Sequence, residues 1–198
     1  MNDRPPIRRR EFGQRIPKKL VLIVVEGMSE KIYFERFRTS GSPVTVRIHE
    51  SKDRAAKGMV EKCIRLIERS GLDTDTDEVI AVFDADRNSM EDLEEAAKVA
   101  YENKIKILLS NPSFEFWLLL HFEDDKYSYI QSELEEKLGK HLGTKYKKSE
   151  GIGKHANDEN IKMAIARSKE LLPDGDPIEC KKKRPSTCLH LLAEKLKK

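Results

Sequence analysis

The sequence has few cysteines and no long apolar stretch, and these shortages exclude several classes of protein. Its 198 residues include three cysteines with no CxxC pair, which disfavours a disulfide framework and a structural zinc site and fits a reducing cytoplasm, where we expect the protein. The longest apolar runs, 20–25 and 116–120, are far too short to span a membrane. The first 19 residues contain no apolar signal-peptide core.

Charged residues, in contrast, are abundant and unevenly distributed. They make up 37% of the chain, yet the formal net charge is only +3. Residues 1–19 contain seven Lys or Arg and two acids, whereas residues 71–100 contain ten Asp or Glu and two bases. Basic ends around an acidic centre suit a protein that binds phosphates at its edges and a cation in its middle, although solvated faces would give the same pattern.

Apolar runs rich in β-branched residues alternate with helical patterns over the first two thirds of the chain. Strands are predicted at 19–25, 44–48, 79–83 and 105–109. This alternation predicts an α/β class with a mainly parallel sheet and helices on both faces, spanning 17–122. Residues 1–16 are interpreted as a flexible basic arm. Residues 123–198 are predicted to form a helical, basic C-terminal part packed on the core, with helical patterns over 130–142, 161–172 and 186–196.

Three carboxylates follow predicted strands, and a fourth lies in the helix that comes after the last predicted strand. Glu26 follows the first strand, Asp84 and Asp86 follow the third, and Glu115 lies in the first turn of the helix after the fourth. Ligands of open parallel sheets bind outside the carboxyl ends of the strands. Oxygen ligands without nearby His or Cys favour Mg²⁺ or Mn²⁺, so we expect Glu26, Asp84 and Asp86 to share one such cation. We expect Glu115 either to add a further ligand or to position the metal-bound water, with Asn111 presenting its amide to the same pocket.

Each of these carboxylates also has a structural interpretation. An aspartate after a strand is often a turn residue, and a glutamate in the first turn of a helix is favoured by the helix dipole. A different enzyme class, a HAD-like phosphatase, would use Asp84 as nucleophile and Asp86 as acid/base. That scheme expects Thr or Val where Asn88 stands, and it leaves Glu26 without a role.

Three segments carry a resemblance to a known family. The pairing of Val24–Phe34 (VVEGMSEKIYF) with Val82–Arg87 (VFDADR) resembles the Toprim fold of topoisomerases, primases and OLD-type nucleases. Together with Ser110–Phe122 (SNPSFEFWLLLHF), these segments are similar to the RloB-like family. The resemblance covers about residues 8–196.

The resemblance implies a Mg²⁺-dependent nuclease that acts on DNA or RNA, including tRNA, in prokaryotic anti-phage defence. In Toprim domains the glutamate after the first strand is a general acid/base or metal ligand, and the two aspartates bind Mg²⁺. Those roles would fall on Glu26, Asp84 and Asp86. The family further implies an AAA- or ABC-type ATPase partner. This chain has no Walker A motif, so any ATP hydrolysis would come from that partner. The alternative is a non-catalytic Toprim-like module that binds nucleic acid or the ATPase.

If the substrate is nucleic acid, three basic segments are the candidate phosphate contacts. They are Arg8, Arg9 and Arg10; Lys145, Lys147 and Lys148; and Lys181, Lys182, Lys183 and Arg184.

Overall fold

The structure is a computed structural model, and it describes residues 18–39 and 44–197. A five-stranded sheet with the order β2-β1-β3-β4-β5 forms its centre. Four strands are parallel, and the fifth runs antiparallel to β4. The strands are β1 (Leu20–Val25), β2 (Thr45–Glu50), β3 (Glu78–Asp84), β4 (Ile105–Asn111) and β5 (Ser186–Thr187). The predicted α/β class with a mainly parallel sheet is confirmed, and the arrangement is consistent with a Toprim-like fold.

Eight α-helices surround this sheet in the described residues. Those of the first part are α1 (Met28–Glu35), α2 (Ala56–Ser70), α3 (Met90–Glu102) and α4 (Phe114–Leu119); those of the second are α5 (Gln131–Leu142), α6 (Asp158–Leu171), α7 (Pro177–Lys182) and α8 (His190–Lys197). A short 3₁₀ helix covers Gly153–His155. The residues of β1 are all buried, because an unbroken aliphatic run suits a strand covered on both faces.

The order of the strands explains where the helices lie. From β1 the chain crosses to β2 on one side and then returns past β1 to β3 on the other. Crossovers between parallel strands are right-handed, so these two connections place α1 and α2 on opposite faces. Ring contacts of Tyr33 with Phe114 and Trp117 join α1 to α4, while α2 packs on α3. The helices therefore cover both faces of the sheet.

This topology creates a crevice at the carboxyl ends of β1 and β3. The connections from these neighbouring strands diverge, which is the switch point where ligands of open α/β sheets bind. Glu26 directly follows β1, and Asp84 is the last residue of β3. The two predicted carboxylates therefore lie at the same edge of the sheet.

The C-terminal part differs from the prediction because it is not wholly helical. Ser186 and Thr187 form β5, which pairs with Asn111 and Ser110 of β4 and adds a strand to the sheet. Helix α7 lies within a segment that we predicted as a loop, and Asp176 caps its start by accepting a hydrogen bond from the Glu179 N–H. The proposed basic arm, 1–16, lies outside the described residues.

Candidate active site

Glu26 is a buried acid whose two oxygens already have partners. Its Oε2 accepts a hydrogen bond from the backbone N–H of Asp84 at 3.0 Å, and its Oε1 lies 3.2 Å from Nε of Arg87. Burial raises the pKa of Glu26, while the Asp84 N–H and the nearby Arg87 and Arg54 charges oppose the rise. Glu26 thus links the ends of β1 and β3.

Asp84 joins β3 to the start of α4. Its Oδ1 accepts a hydrogen bond from the backbone N–H of Phe114 at 2.8 Å. Burial raises the pKa of Asp84 well above its usual value, and the charges of Glu30, Glu26 and Glu115 raise it further. These hydrogen bonds place Asp84 beside Glu26 and at the start of α4, the helix that carries Glu115.

Glu30 is a member of the site that our sequence prediction missed. It is the third residue of α1, is buried, and has its Oε2 3.5 Å from the position that a Cβ on Gly27 would occupy. Burial, followed by the charges of Glu115 and Glu26, raises the pKa of Glu30 to about 7. The available indication was its place in the first turn of α1, a helix that begins two residues after Glu26.

Glu115 is almost completely buried, at 1% exposure, in the first turn of α4. Its Oε2 accepts a hydrogen bond from the Ser113 hydroxyl at 3.0 Å, and its Oε1 accepts one from the Tyr146 hydroxyl at 3.3 Å. The Lys148 ammonium lies 3.2 Å from the same Oε1. Because Glu115 also raises the pKa of Asp84 and Glu30, it belongs with the other acids. We call Glu26, Glu30, Asp84 and Glu115 the carboxylate cluster.

A loop from the C-terminal part covers one side of the carboxylate cluster. The hydroxyl of the buried Tyr146 forms a hydrogen bond of 3.0 Å with the Ser29 hydroxyl. It also donates a hydrogen bond to Glu115. The Ser29 hydroxyl also lies 3.5 Å from the carbonyl oxygen of Lys148. Ser29 therefore does not cap α1, as its position had suggested; Gly27 is the N-cap, and Ser29 ties α1 to this loop.

Two neighbouring residues are placed differently from what we expected. Asp86, which we expected to share a cation with Asp84, lies exposed in the turn that follows β3, because β3 ends at Asp84. Asp86 is still near enough for its charge to raise the pKa of Glu26. The Asn111 amide does not face the carboxylates, since it donates hydrogen bonds to the carbonyl oxygens of Cys180, Lys181 and Lys183.

The predicted phosphate contacts have different surroundings. Lys148 contacts the carboxylate cluster. Lys181 donates a hydrogen bond of 2.7 Å to the carbonyl oxygen of Ala85, the residue that follows Asp84. The others with an assigned contact bind elsewhere: Lys147 to Glu150, Lys182 to Glu179, Lys183 to the Leu171 carbonyl and Arg184 to the Tyr129 carbonyl. Lys145 is exposed and lines a cavity with Tyr146. Arg8, Arg9 and Arg10 lie outside the described residues.

The donor chemistry of the carboxylate cluster suits a hard divalent cation. All its ligand atoms are oxygens. Burial, together with the charges of neighbouring acids, raises the pKa of Glu30 and Asp84, and a bound cation would oppose this rise. Within the described residues, however, no group of three or more His, Cys, Asp or Glu is placed to hold a metal ion. The carboxylate oxygens instead accept hydrogen bonds from the chain's own N–H and O–H groups.

Comparisons with known proteins give one match. No curated protein matches the sequence, and no solved structure does. In the part of the chain that the structure describes, no helix has the length and apolar character needed to cross a membrane. The RloB-like protein family matches residues 21–196, which include all of the sheet except Leu20 and every member of the carboxylate cluster. The chain therefore belongs to the RloB-like family.

Proposed function

We propose that this protein is a Mg²⁺- or Mn²⁺-dependent nuclease of the Toprim type. The observation that carries the proposal is the convergence of four carboxylates at the switch point of the sheet, where burial and the charges of neighbouring acids raise the pKa of Asp84 and Glu30. Gathering like charges in a buried place costs stability unless a ligand offsets it. Acidic groups that are perturbed in this way cluster at functional sites.

Each residue then has a distinct task. A divalent cation at this site would orient a phosphodiester and activate water. Glu26, Glu30 and Asp84 would hold it, with the exposed Asp86 as a further candidate ligand. Glu115, fixed by Ser113 and Tyr146, would orient Lys148 toward the site. Lys148 is half-exposed, so its ammonium can reach a substrate phosphate as well as Glu115.

We further propose that the substrate is DNA or RNA, including tRNA, and that the protein works in the cytoplasm in prokaryotic anti-phage defence with an AAA- or ABC-type ATPase partner. Family membership supports this part of the proposal, because the defence setting and the partner follow from the resemblance. The basic residues next to the carboxylate cluster, Lys148 and Lys181, support a polyanionic substrate.

A non-catalytic nucleic-acid or ATPase-binding module is the second candidate. The observation that favours it is that no three acids of the described residues are placed around one metal position. The HAD-like phosphatase has less support. Asn88, which stands where that scheme expects Thr or Val, binds the carbonyl oxygen of Asp84 and the N–H of Ala56 and so serves to hold the turn.

The test is a cleavage assay with Mn²⁺ and three labelled substrates: tRNA, single-stranded DNA and plasmid. We expect the wild-type protein to cut at least one of them, EDTA to stop the reaction, and Asp84→Asn to lower the rate at least about 100-fold, the usual cost of losing a group that stabilises charge in the transition state. Cleavage that Asp84→Asn leaves unchanged would contradict the proposal. Absence of cleavage together with nucleic-acid binding would favour the non-catalytic module.

A further inference from the structure

A basic cavity opens beside the carboxylate cluster, at the carboxyl ends of β2 and β3. It has a volume of about 830 Å³ and is lined by Lys52, Asp53, Arg54, Ala55 and Arg87. Residues 52–55 form the loop between β2 and α2, while Arg87 belongs to the turn after β3. Three of the five lining residues are cations, and our sequence prediction assigned no role to any of them.

The loop that carries two of these cations is fixed at both ends. The backbone N–H of Ser51 donates to the carbonyl oxygen of Val25 at 2.8 Å, which ties the loop to the end of β1. The N–H of Ala56 donates to Oδ1 of the buried Asn88 at 2.7 Å, which ties it to the turn after β3. Lys52 and Arg54 are therefore held beside the end of β1 that carries Glu26.

The acid in the cavity does not neutralise these cations. Oδ1 of Asp53 accepts a hydrogen bond from the N–H of Ala55 at 3.1 Å. A Cβ on Gly58 would lie 2.0 Å from Oδ2 of Asp53, so this side chain is packed against the first turn of α2, where only glycine leaves room for it. Neither Lys52 nor Arg54 forms an ion pair with any residue that the structure describes, and both are exposed.

Arg87 connects the cavity to the carboxylate cluster. Its Nε contacts Oε1 of Glu26 at 3.2 Å, and the side chain is 51% exposed. The ion pair uses one edge of the guanidinium, so the terminal nitrogens can bind a second anion in the two-point manner that arginine favours with phosphate. One strand could thus be bound in the cavity while a neighbouring phosphodiester lies at Glu26 and Asp84.

We propose that Lys52, Arg54 and Arg87 form a binding subsite for the backbone phosphates of a nucleic-acid strand whose scissile phosphodiester lies at the carboxylate cluster. The inference rests on the proposed function, which identifies the ligand as nucleic acid. It adds to that proposal the place on the protein where the strand is bound. The recognised chemistry is the phosphodiester backbone, which DNA and RNA share.

The experiment measures equilibrium binding of labelled single-stranded DNA and RNA oligonucleotides of matching sequence over a range of salt concentrations, without Mg²⁺ or Mn²⁺. The test variant is Lys52→Ala/Arg54→Ala, which leaves Arg87 and its pairing with Glu26 in place. The control variant, Arg69→Ala/Lys98→Ala, also removes one lysine and one arginine, both exposed, from α2 and α3. Thermal melting checks that both variants fold.

We expect the test variant to bind about tenfold more weakly at moderate salt. The slope of log K against log salt should become shallower by about 1.4, since each phosphate contact on a single strand contributes about 0.7. The control variant should bind like the wild type. The oligonucleotide for which the test variant loses affinity, DNA, RNA or both, identifies the strand that the subsite accepts.

Other results separate this proposal from the nuclease proposal. If the wild type cuts nucleic acid but the test variant binds like the wild type, the subsite is wrong and the nuclease stands. If both variants lose affinity equally, net charge explains the binding and the subsite is again wrong. If the test variant alone loses affinity but the wild type cuts nothing with Mn²⁺, the subsite stands and the nuclease proposal fails. A wild type that binds neither oligonucleotide overturns the subsite.

Discussion

Two buried polar clusters lie between the same pair of helices, α1 and α4, and they differ in how their polar groups are satisfied. The carboxylate cluster takes Glu30 and Glu115 from the first turns of these helices. The second, which we call the aromatic cluster, consists of Tyr33 of α1, Trp117 of α4 and His121 just beyond α4. About one helical turn separates a region of like charges from a region of neutral polar groups.

In the aromatic cluster each hydrogen bond has a defined donor and acceptor. Burial lowers the pKa of His121 to about 4, so the ring is neutral near pH 7. Its Nδ1 lies 3.0 Å from the carbonyl oxygen of Trp117, to which only a protonated nitrogen can donate. Nε2 then accepts from the Tyr33 hydroxyl at 3.0 Å. Tyr33 and His121 thus satisfy one another, as polar groups in a structural core do, while the buried Nε1 of Trp117 has no hydrogen-bond partner among the described residues.

The carboxylate cluster lacks such complementarity. Burial and the charges of neighbouring acids raise the pKa of Glu30 and Asp84, and among the described residues only Arg87 and Lys148 lie within ion-pairing distance of the four carboxylates. The comparison teaches that burial of polar groups alone does not mark a functional site on this fold. Burial of like charges at the switch point does mark one, since a bound cation would offset the repulsion between these carboxylates.

The largest effect on stability is expected from Glu30→Gln. The pKa of Glu30 is about 7 in the folded protein and 4.5 in the unfolded chain, so folding takes up a proton between these pH values. The stability that this proton contributes is therefore lost as the pH rises through 7. The variant removes this cost, so we expect the free energy of unfolding at pH 8, without metal, to rise by about 3 kcal/mol.

Urea unfolding at pH 8 and pH 5 measures this difference, which should be small at pH 5. Glu35→Gln is the matched control on the same helix, where Glu35 forms an exposed pair with Arg38 at 2.8 Å. It should change stability by less than about 0.5 kcal/mol at either pH. A Glu30→Gln variant that is less stable than the wild type at pH 8 would show that the charge of Glu30 is satisfied, as in the aromatic cluster.

The next largest effect is expected from Tyr33→Phe. The change leaves Nε2 of the buried His121 without its donor, which costs about 1–3 kcal/mol. Chemical denaturation measures it, and Tyr101→Phe is the control, because Tyr101 is 86% exposed. Cleavage by Tyr33→Phe at a temperature well below its melting point should equal that of the wild type. A selective loss of cleavage would give the aromatic cluster a role in the chemistry.

The smallest effect is expected from Lys148→Met. Lys148 is half-exposed, so losing its ion pair with Glu115 should lower stability at pH 8 by less than about 1 kcal/mol. Lys147→Met, which breaks an exposed pair with Glu150, is the control and should have no measurable effect. If Lys148→Met raises the free energy of unfolding, the ammonium of Lys148 does not offset the repulsion between the buried carboxylates.

The sequence predicts the sheet well because three of its parallel strands, β1, β3 and β4, contain aliphatic runs, and because β2 carries an alternating pattern. It also places Glu26 and Asp84 correctly at the ends of neighbouring strands. Strand β5 is missed because Ser186–Thr187 carries no apolar pattern and is a strand only through its pairing with β4. Glu30 is missed because its burial depends on α4 and on the loop containing Tyr146, which are distant in sequence.

The most direct test of the central claim, that the carboxylate cluster binds a divalent cation, is calorimetric titration of Mn²⁺ into the wild type, Asp84→Asn and Tyr33→Phe. The account predicts that the wild type and Tyr33→Phe bind Mn²⁺ with the same affinity, and that Asp84→Asn binds it at least about tenfold more weakly, since a ligand oxygen and a charge are lost. No binding by the wild type, or equal binding by Asp84→Asn, would contradict the claim.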